Sequence, residues 1–281
     1  MKITPKVRMN RLFRNGGCLD VAVDHGVCNE PSFLAGLEDM GRVVEMLVRA
    51  GPDAIQMTFG QADLLQGRPE RDKPALVMRL DMGNPYNATR HKVMWAELQN
   101  AADPVLPAVE MDAACVVVNL FMLPEEPELF RQCVQNIARV RADCTRYGMP
   151  LMIEPLVMLP NDVRGGYQVD GDAEKIVTLV RLAAEMGADI IKADPTTNAQ
   201  DFHRVIEAAR VPVLARGGGK EDLRLVLEKS AALISQGAKG LVYGRNIYQH
   251  ANPKAVVAAL MAIIHQGADG AAAWEIYNRG A

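Results

Sequence analysis

The chain has 281 residues, 49% of them apolar, and a formal net charge of −3. Near-balanced charge gives no basic surface for nucleic acid, and 5% aromatics is too few for a base-stacking platform. No run approaches the roughly 18 uninterrupted apolar residues of a membrane span. The five cysteines form no C-x-x-C pair, as suits reduced thiols in a cytoplasmic protein.

Residues 1–14 carry five basic side chains with no apolar stretch behind them, which argues against a signal peptide. Short Val/Ile/Leu-rich runs then recur at 19–23, 54–57, 75–80, 115–120, 151–153, 190–193, 211–215 and 240–243. Most are apolar throughout, as parallel strands buried on both faces require. Helical spacing marks 40–49, 128–147, 173–185, 201–209, 222–235 and 253–266. Strands alternating with helices imply βαβ units, and eight in this length predict a closed (β/α)₈ TIM barrel, with residues 1–281 as a single domain. The phrases RAGPDAIQM, EMGADIIKA and SQGAKGLVY each run from helix end through glycine to strand. That predicts a left-handed glycine at equivalent turns around the ring. The polar stretches 81–91 and 159–171 read as substrate loops after strands three and five.

Barrel active sites lie at the C-terminal ends of the strands. Every strand here delivers a polar group to that rim: Asp24 and His25, Gln56 and Thr58, Arg79 and Asp81, Asn119, Glu154, Lys192 and Asp194, Arg216, and Gly244 to Asn246. Lys192 sits in the apolar run ADIIKADPT. A desolvated lysine loses its charge and can attack a carbonyl; the alternative is a structural lysine paired with Asp194 or Glu154. Glu154, in PLMIEPLVM, reads as an acid/base with a pKa raised by burial, or as the salt-bridge partner of Lys192. Asp24 is a second acid/base. His25 reads equally as ligand-binding or packed. Arg79 and Asn119 are substrate-binding candidates. Gly217 and Gly218 with Arg216 and Lys220, and Gly244 with Arg245, form glycine turns after strands seven and eight that suit a phosphate. The histidines are scattered and no H-x-x-x-H, G-x-G-x-x-G or Walker loop occurs, so neither a metal nor another cofactor is expected.

The phrases VAVDHG, GADIIKADPT, VPVLARGGGK and GAKGLVYGRNIYQ, in that order across residues 15–265, resemble the DeoC/LacD-type class I aldolase superfamily. They look most like the archaeal-type fructose-bisphosphate aldolases and relatives, which include an aminodeoxyheptulosonate-type synthase and an autoinducer-2 phosphate thiolase. The resemblance implies a Schiff base at Lys192, hydroxyl handling by Asp24, and phosphate held by Gly217, Gly218, Gly244 and Arg245. It further implies a phosphorylated sugar substrate and a homo-oligomer. Two departures stand out. Pro195 replaces the tyrosine after the lysine, and EPLVM lacks the catalytic tyrosine after strand five. Glu154 then takes that tyrosine's role, as in the tagatose-bisphosphate and sulfofructose-phosphate aldolases. Arg216 replaces a small residue and points to a different anion. The expected activity is carbon–carbon bond cleavage or formation in a phosphorylated ketose-like substrate, without a metal. The rivals are an acyl or ketol transferase on the same lysine and a non-catalytic sugar-phosphate-binding barrel.

Overall fold

The computed structural model describes residues 6–87, 89, 91–163 and 166–280. Eight parallel strands form the ring: β1 (Cys18–Ala22), β2 (Ala54–Thr58), β3 (Ala75–Arg79), β4 (Cys115–Met122), β5 (Leu151–Pro160), β6 (Ile190–Ala193), β7 (Val213–Arg216) and β8 (Gly240–Tyr243). Each pairs in parallel with both neighbours; β1 with β8 and β4 with β5 complete the circle. The barrel expected from the sequence is therefore present, with helices outside.

Paired residues in a parallel sheet share a face, so the register identifies the side chains that point into the ring. Lys192 pairs with Leu214, which pairs with Gly240, and Glu154 pairs with Asn119. The interior divides into two levels. Below, Cys18, Ala54, Val77, Cys115, Val117, Met152, Ile190 and Leu214 make an apolar plug, sealed underneath by Leu12 with Met9 and Phe13 packed against it. Above, the same faces carry Asp20, Gln56, Arg79, Asn119, Glu154, Lys192 and Arg216. A larger apolar layer fills the space between strands and helices.

Helix Lys6–Leu12 was not expected from the sequence. It is short and basic, so its apolar residues are too few to set a period. It is pinned from outside: Arg8 and Arg11 donate to the Ala113 carbonyl at 2.7 and 3.1 Å, and Arg11 pairs with Asp112 at 2.7 Å. The glycine expectation holds. Gly51, Gly187 and Gly237 have φ of 73°, 88° and 108°, the left-handed region that frees a chain leaving a helix.

Several boundaries differ, those of strands four and five the most. Strand five runs on to Pro160, because Tyr167–Val169 folds back antiparallel on its end and extends its pairing. Asn119 and Glu154 thus lie within strands rather than at their ends. Inside the loop after β3, Asp81–Gly83 pairs antiparallel with Ala96–Leu98. Among the described residues the α-helices after β2 and β3 are the short turns Asp63–Gln66 and Leu106–Glu110, the first preceded by the 3-10 turn Phe59–Gln61.

Leu12 is fully buried against the lumen floor. Leu12→Ala should lower unfolding stability by about 2–5 kcal/mol, through lost burial and the cavity left behind. Urea denaturation followed by circular dichroism measures this; a loss near zero would mean the helix does not seal the floor.

Candidate functional site

The upper lumen opens into a cavity of about 440 Å³. Asp24, His25, Arg79, Asn119, Glu154, Lys192, Arg216, Gly217, Gly218, Gly244 and Arg245 all line it. These eleven binding and catalytic candidates from the sequence thus meet at one place. The flanking candidate Lys220 does not line it; its amine reaches out to the Gln249 carbonyl at 3.3 Å.

The centre is a buried ionic network. The Arg79 guanidinium donates from Nε to Asp24 at 2.8 Å, from Nη1 to Asp81 at 3.2 Å and from Nη2 to Glu154 at 2.5 Å. The other oxygen of Glu154 lies 3.0 Å from Lys192 Nζ. Lys192 also donates to Gln56 Oε1 at 3.3 Å, and the Gln56 amide donates to Asp24 at 2.6 Å. Arg216 pairs with Asp194 at 2.5 Å, and its Nε stands 3.8 Å from Glu154. Asn119 donates its backbone N–H and its side-chain amide to Asp81, at 2.8 and 3.1 Å. Its place here is as a brace for Asp81 at the cavity wall.

This arrangement corrects the expectation for Glu154. Burial alone pushes its carboxyl up, but Lys192, Arg79 and Arg216 outweigh burial and hold it below the ordinary range. Glu154 is therefore an anion able to accept a proton. The Lys192 amine does not stand free in an apolar pocket; it is ion-paired. Asp24 has the same balance. Burial opposes its charge, yet Arg79, Lys192 and His25 bring it down to about 2. For His25 burial wins, against Asp24, and lowers the imidazole to about 4, so the ring is neutral near pH 7. That ring packs edge-on to Phe33 and Tyr248, both at 5.7 Å.

The glycine turns have a steric reason of their own. A Cβ on Gly217 would lie 2.6 Å from the Tyr243 ring, and one on Gly244 would lie 2.7 Å from the Ala22 carbonyl. Arg245 lies over the Phe33 ring at 4.4 Å and reaches the Gly218 carbonyl only at 3.4 Å. Among the described residues it has no carboxylate partner, so its charge is available to an anion. The expected help from helix ends is small. The helix after β8, Arg245–Tyr248, is one turn. At helix Leu223–Ser235 the Asp222 side chain already accepts from Arg224 N and Leu225 N.

Two residues were missed. Tyr86 comes from the loop after β3 and lines the cavity, its ring edge-on to Phe121 at 5.4 Å. Burial and then Glu154 push its phenol well up, so it stays a donor. It is the single tyrosine of a stretch read as a substrate loop, and that was the available signal. Asp20, fully buried within β1, gave none, because only strand ends were read.

The model of the DeoC/LacD family aldolases matches residues 18–250. The chain belongs to the DeoC/LacD family of aldolases. An uncharacterized aldolase of Saccharolobus solfataricus is 34% identical over 273 residues, 95% of this chain and 96% of the relative. A 3-hydroxy-5-phosphonooxypentane-2,4-dione thiolase of Escherichia coli is 30% identical, covering 96% and 85% of the two chains. A 2-amino-3,7-dideoxy-D-threo-hept-6-ulosonate synthase of Halobacterium salinarum is 27% identical, covering 95% and 93%. The fold matches a crystal structure of an archaeal fructose 1,6-bisphosphate aldolase with TM-score 0.72 at 22% identity, over 94% and 100% of the chains. Within this DeoC/LacD chain, no group of three or more His, Cys, Asp or Glu among the described residues is arranged to hold a metal ion. No helix among them is long and apolar enough to cross a membrane.

The Asp24–Arg79 pair gives this DeoC/LacD barrel an acid-sensitive component. Asp24 is lowered from 3.8 to about 2. Its contribution is thus complete above the unfolded value and lost as pH falls through about 2. Asp24→Asn should cost about 3–5 kcal/mol at neutral pH, because it breaks a buried pair. The gap to wild type should narrow once pH drops below the unfolded carboxyl value. Denaturant titrations across that range measure it, and a gap that stays constant on acidification would count against the assignment.

Proposed function

We propose that this chain is a class I aldolase that works through a Schiff base on Lys192, with a phosphorylated ketose-like compound as substrate. The observation that carries the reading is the Lys192–Glu154 contact at 3.0 Å on the wall of a cavity large enough for a small sugar phosphate.

Proton flow follows from that contact. Lys192 passes a proton to Glu154 and its free amine attacks the substrate ketone. Glu154 returns the proton to the departing hydroxyl, and water leaves as the iminium forms. The carboxylate then takes the proton of the substrate hydroxyl at the adjacent bond. The carbon–carbon bond breaks, its electrons move toward the iminium nitrogen, and an aldehyde and an enamine result. Protonation of the enamine carbon and addition of water free the second product and restore the amine. Arg79 fixes Glu154 and Asp24 in place, and the Asp24 carboxylate accepts from a substrate hydroxyl. Arg245 and the backbone of Gly218 and Gly244 take the phosphate, Gly217 leaves room for it while its own N–H stays on the Val242 carbonyl, and Arg216 supplies a further cation at the cavity edge. His25, neutral, lines the same wall.

A second reading, transfer of an acyl or ketol group to an acceptor, is favoured by one feature. A neighbouring cavity of about 330 Å³ shares Arg216, Gly217 and Gly218 with the first, which gives room for a second reactant. Product analysis with and without an added nucleophilic acceptor separates the readings.

Borohydride added with ketose phosphates should leave a covalent adduct on Lys192, found by peptide mass mapping. Lys192→Met should give no adduct. If no ketose phosphate labels Lys192, the aldolase reading fails. Glu154→Gln should reduce kcat by about 10²–10⁴-fold, the range for losing an acid/base group, with adduct still formed on long incubation. A variant of near-normal kcat would remove Glu154 from the mechanism.

A further inference from the structure

The mechanism above leaves one lumen carboxyl without a task. Asp20 is fully buried on the inner face of β1, and both of its oxygens lack a hydrogen-bond partner. The carboxylates around it are all engaged. Asp24, Asp81 and Glu154 share Arg79, Glu154 also meets Lys192, and Asp194 holds Arg216.

The register fixes its level. Asp20 pairs with Ala54 on β2 and Val242 on β8, neither of them polar. Ala22, one inward position above it, and its partner Val242 both line the cavity while Asp20 does not, so it sits at the floor behind the lining side chains. Lys192 springs from β6, on the far side of the ring from β2, yet its amine bonds Gln56 on β2 at 3.3 Å. Gln56 in turn pairs with Ala22. The lysine therefore crosses the lumen, with Asp20 beneath it. The charged or titratable groups facing Asp20 are Asp24 above and Cys18 below on its own strand, and Lys192, Glu154 and Arg79 across the lumen. Gln56 is the polar neighbour on β2.

A buried carboxylate with no partner is costly, and the group escapes that cost by keeping its proton. Burial raises Asp20 to about 7, with Lys192 pulling the other way and Asp24 and Glu154 adding to the rise. The lumen cations nearest to it are already engaged: Arg79 by Asp24, Asp81 and Glu154, and Lys192 by Glu154.

We propose that Asp20 is a positioning residue that governs the Lys192 amine from below. As a neutral acid it leaves the ammonium to Glu154, its direct partner, and the more distant Asp24; once ionised it adds a further counter-charge, and the lysine keeps its proton. The inference rests on the amine chemistry proposed for Lys192. It adds no bond-making step. The lysine proton still passes to Glu154, and the proton of Asp20 exchanges with solvent as pH rises.

Formaldehyde with cyanoborohydride tests this without a ketose substrate, because it methylates any available amine. The rate of labelling at Lys192, read by peptide mass mapping, is measured against pH in the wild-type chain and in Asp20→Asn. At about pH 6 the two rates should agree, since position 20 is neutral in both; at about pH 8.5 the variant should label up to about tenfold faster, the equivalent of one pK unit. Asp20→Ala, which leaves no polar side-chain atom at position 20, serves if the amide variant does not fold. A constant ratio of rates across the range overturns the proposal, as does slower labelling of both variants at every pH, or no labelling of Lys192 in any of the proteins. The aldolase reading fails separately. Lys192 would then be methylated with the predicted pH dependence while no ketose phosphate is ever trapped there.

Discussion

The upper half of this barrel depends on one buried cation. Arg79 holds Asp24, Asp81 and Glu154 at once, and those carboxylates come from the strands or strand ends of β1, β3 and β5. Removing three anions and a guanidinium from water is expensive, and mutual attraction repays it only when geometry is good and every hydrogen bond is made. The planar fork of arginine meets that demand, since it offers separate donors in fixed directions. One consequence is mechanical: Glu154 cannot swing freely, because one oxygen is held by Arg79 while the other faces Lys192. Another is electrical: the cluster keeps Glu154 and Asp24 ionised in a place where burial alone would neutralise them.

The sequence carried the ring and its rim well. Eight apolar runs and a repeated helix–glycine–strand phrase are signals of local chemistry, and local chemistry survives folding. Lys192 and Glu154 stood out because a charge in an apolar run needs an explanation. Partnership was less legible. Whether burial raises Glu154 or Lys192, Arg79 and Arg216 lower it depends on distances between β3, β5, β6 and β7, which no spacing along the chain encodes. Asp20 shows the same limit from the other side. In CLDVA it looks like Glu154 in its strand, and only the register shows that it faces inward at the floor, where no donor bonds it. Tyr86 enters from a loop whose closing hairpin, Asp81–Gly83 with Ala96–Leu98, pairs across a long gap.

The glycine turns after β7 and β8 serve two purposes at once. Contact with Tyr243 and with the Ala22 carbonyl already forbids a side chain at Gly217 and Gly244. The same lack of side chains lets an anion come close, with the Gly217 N–H itself held by the Val242 carbonyl at 2.9 Å, and Arg245 stands beside it on the Phe33 face without a carboxylate partner among the described residues. Packing and recognition therefore constrain the same atoms, and a change made for one disturbs the other. Arg216 forms part of the wall between the two cavities and is held there by Asp194, so the boundary between the two chambers is itself an ion pair.

The stoppered underside of the lumen has a consequence for traffic. With Leu12, Met9 and Phe13 closing the bottom, a molecule in the upper chamber passes in and out on the rim side. Under the proposed Schiff base, a fragment tethered to Lys192 would block the inner end of that passage, and whatever is untethered would have to step out first. Release would then be a queue, with the fragment made nearest the mouth at its head.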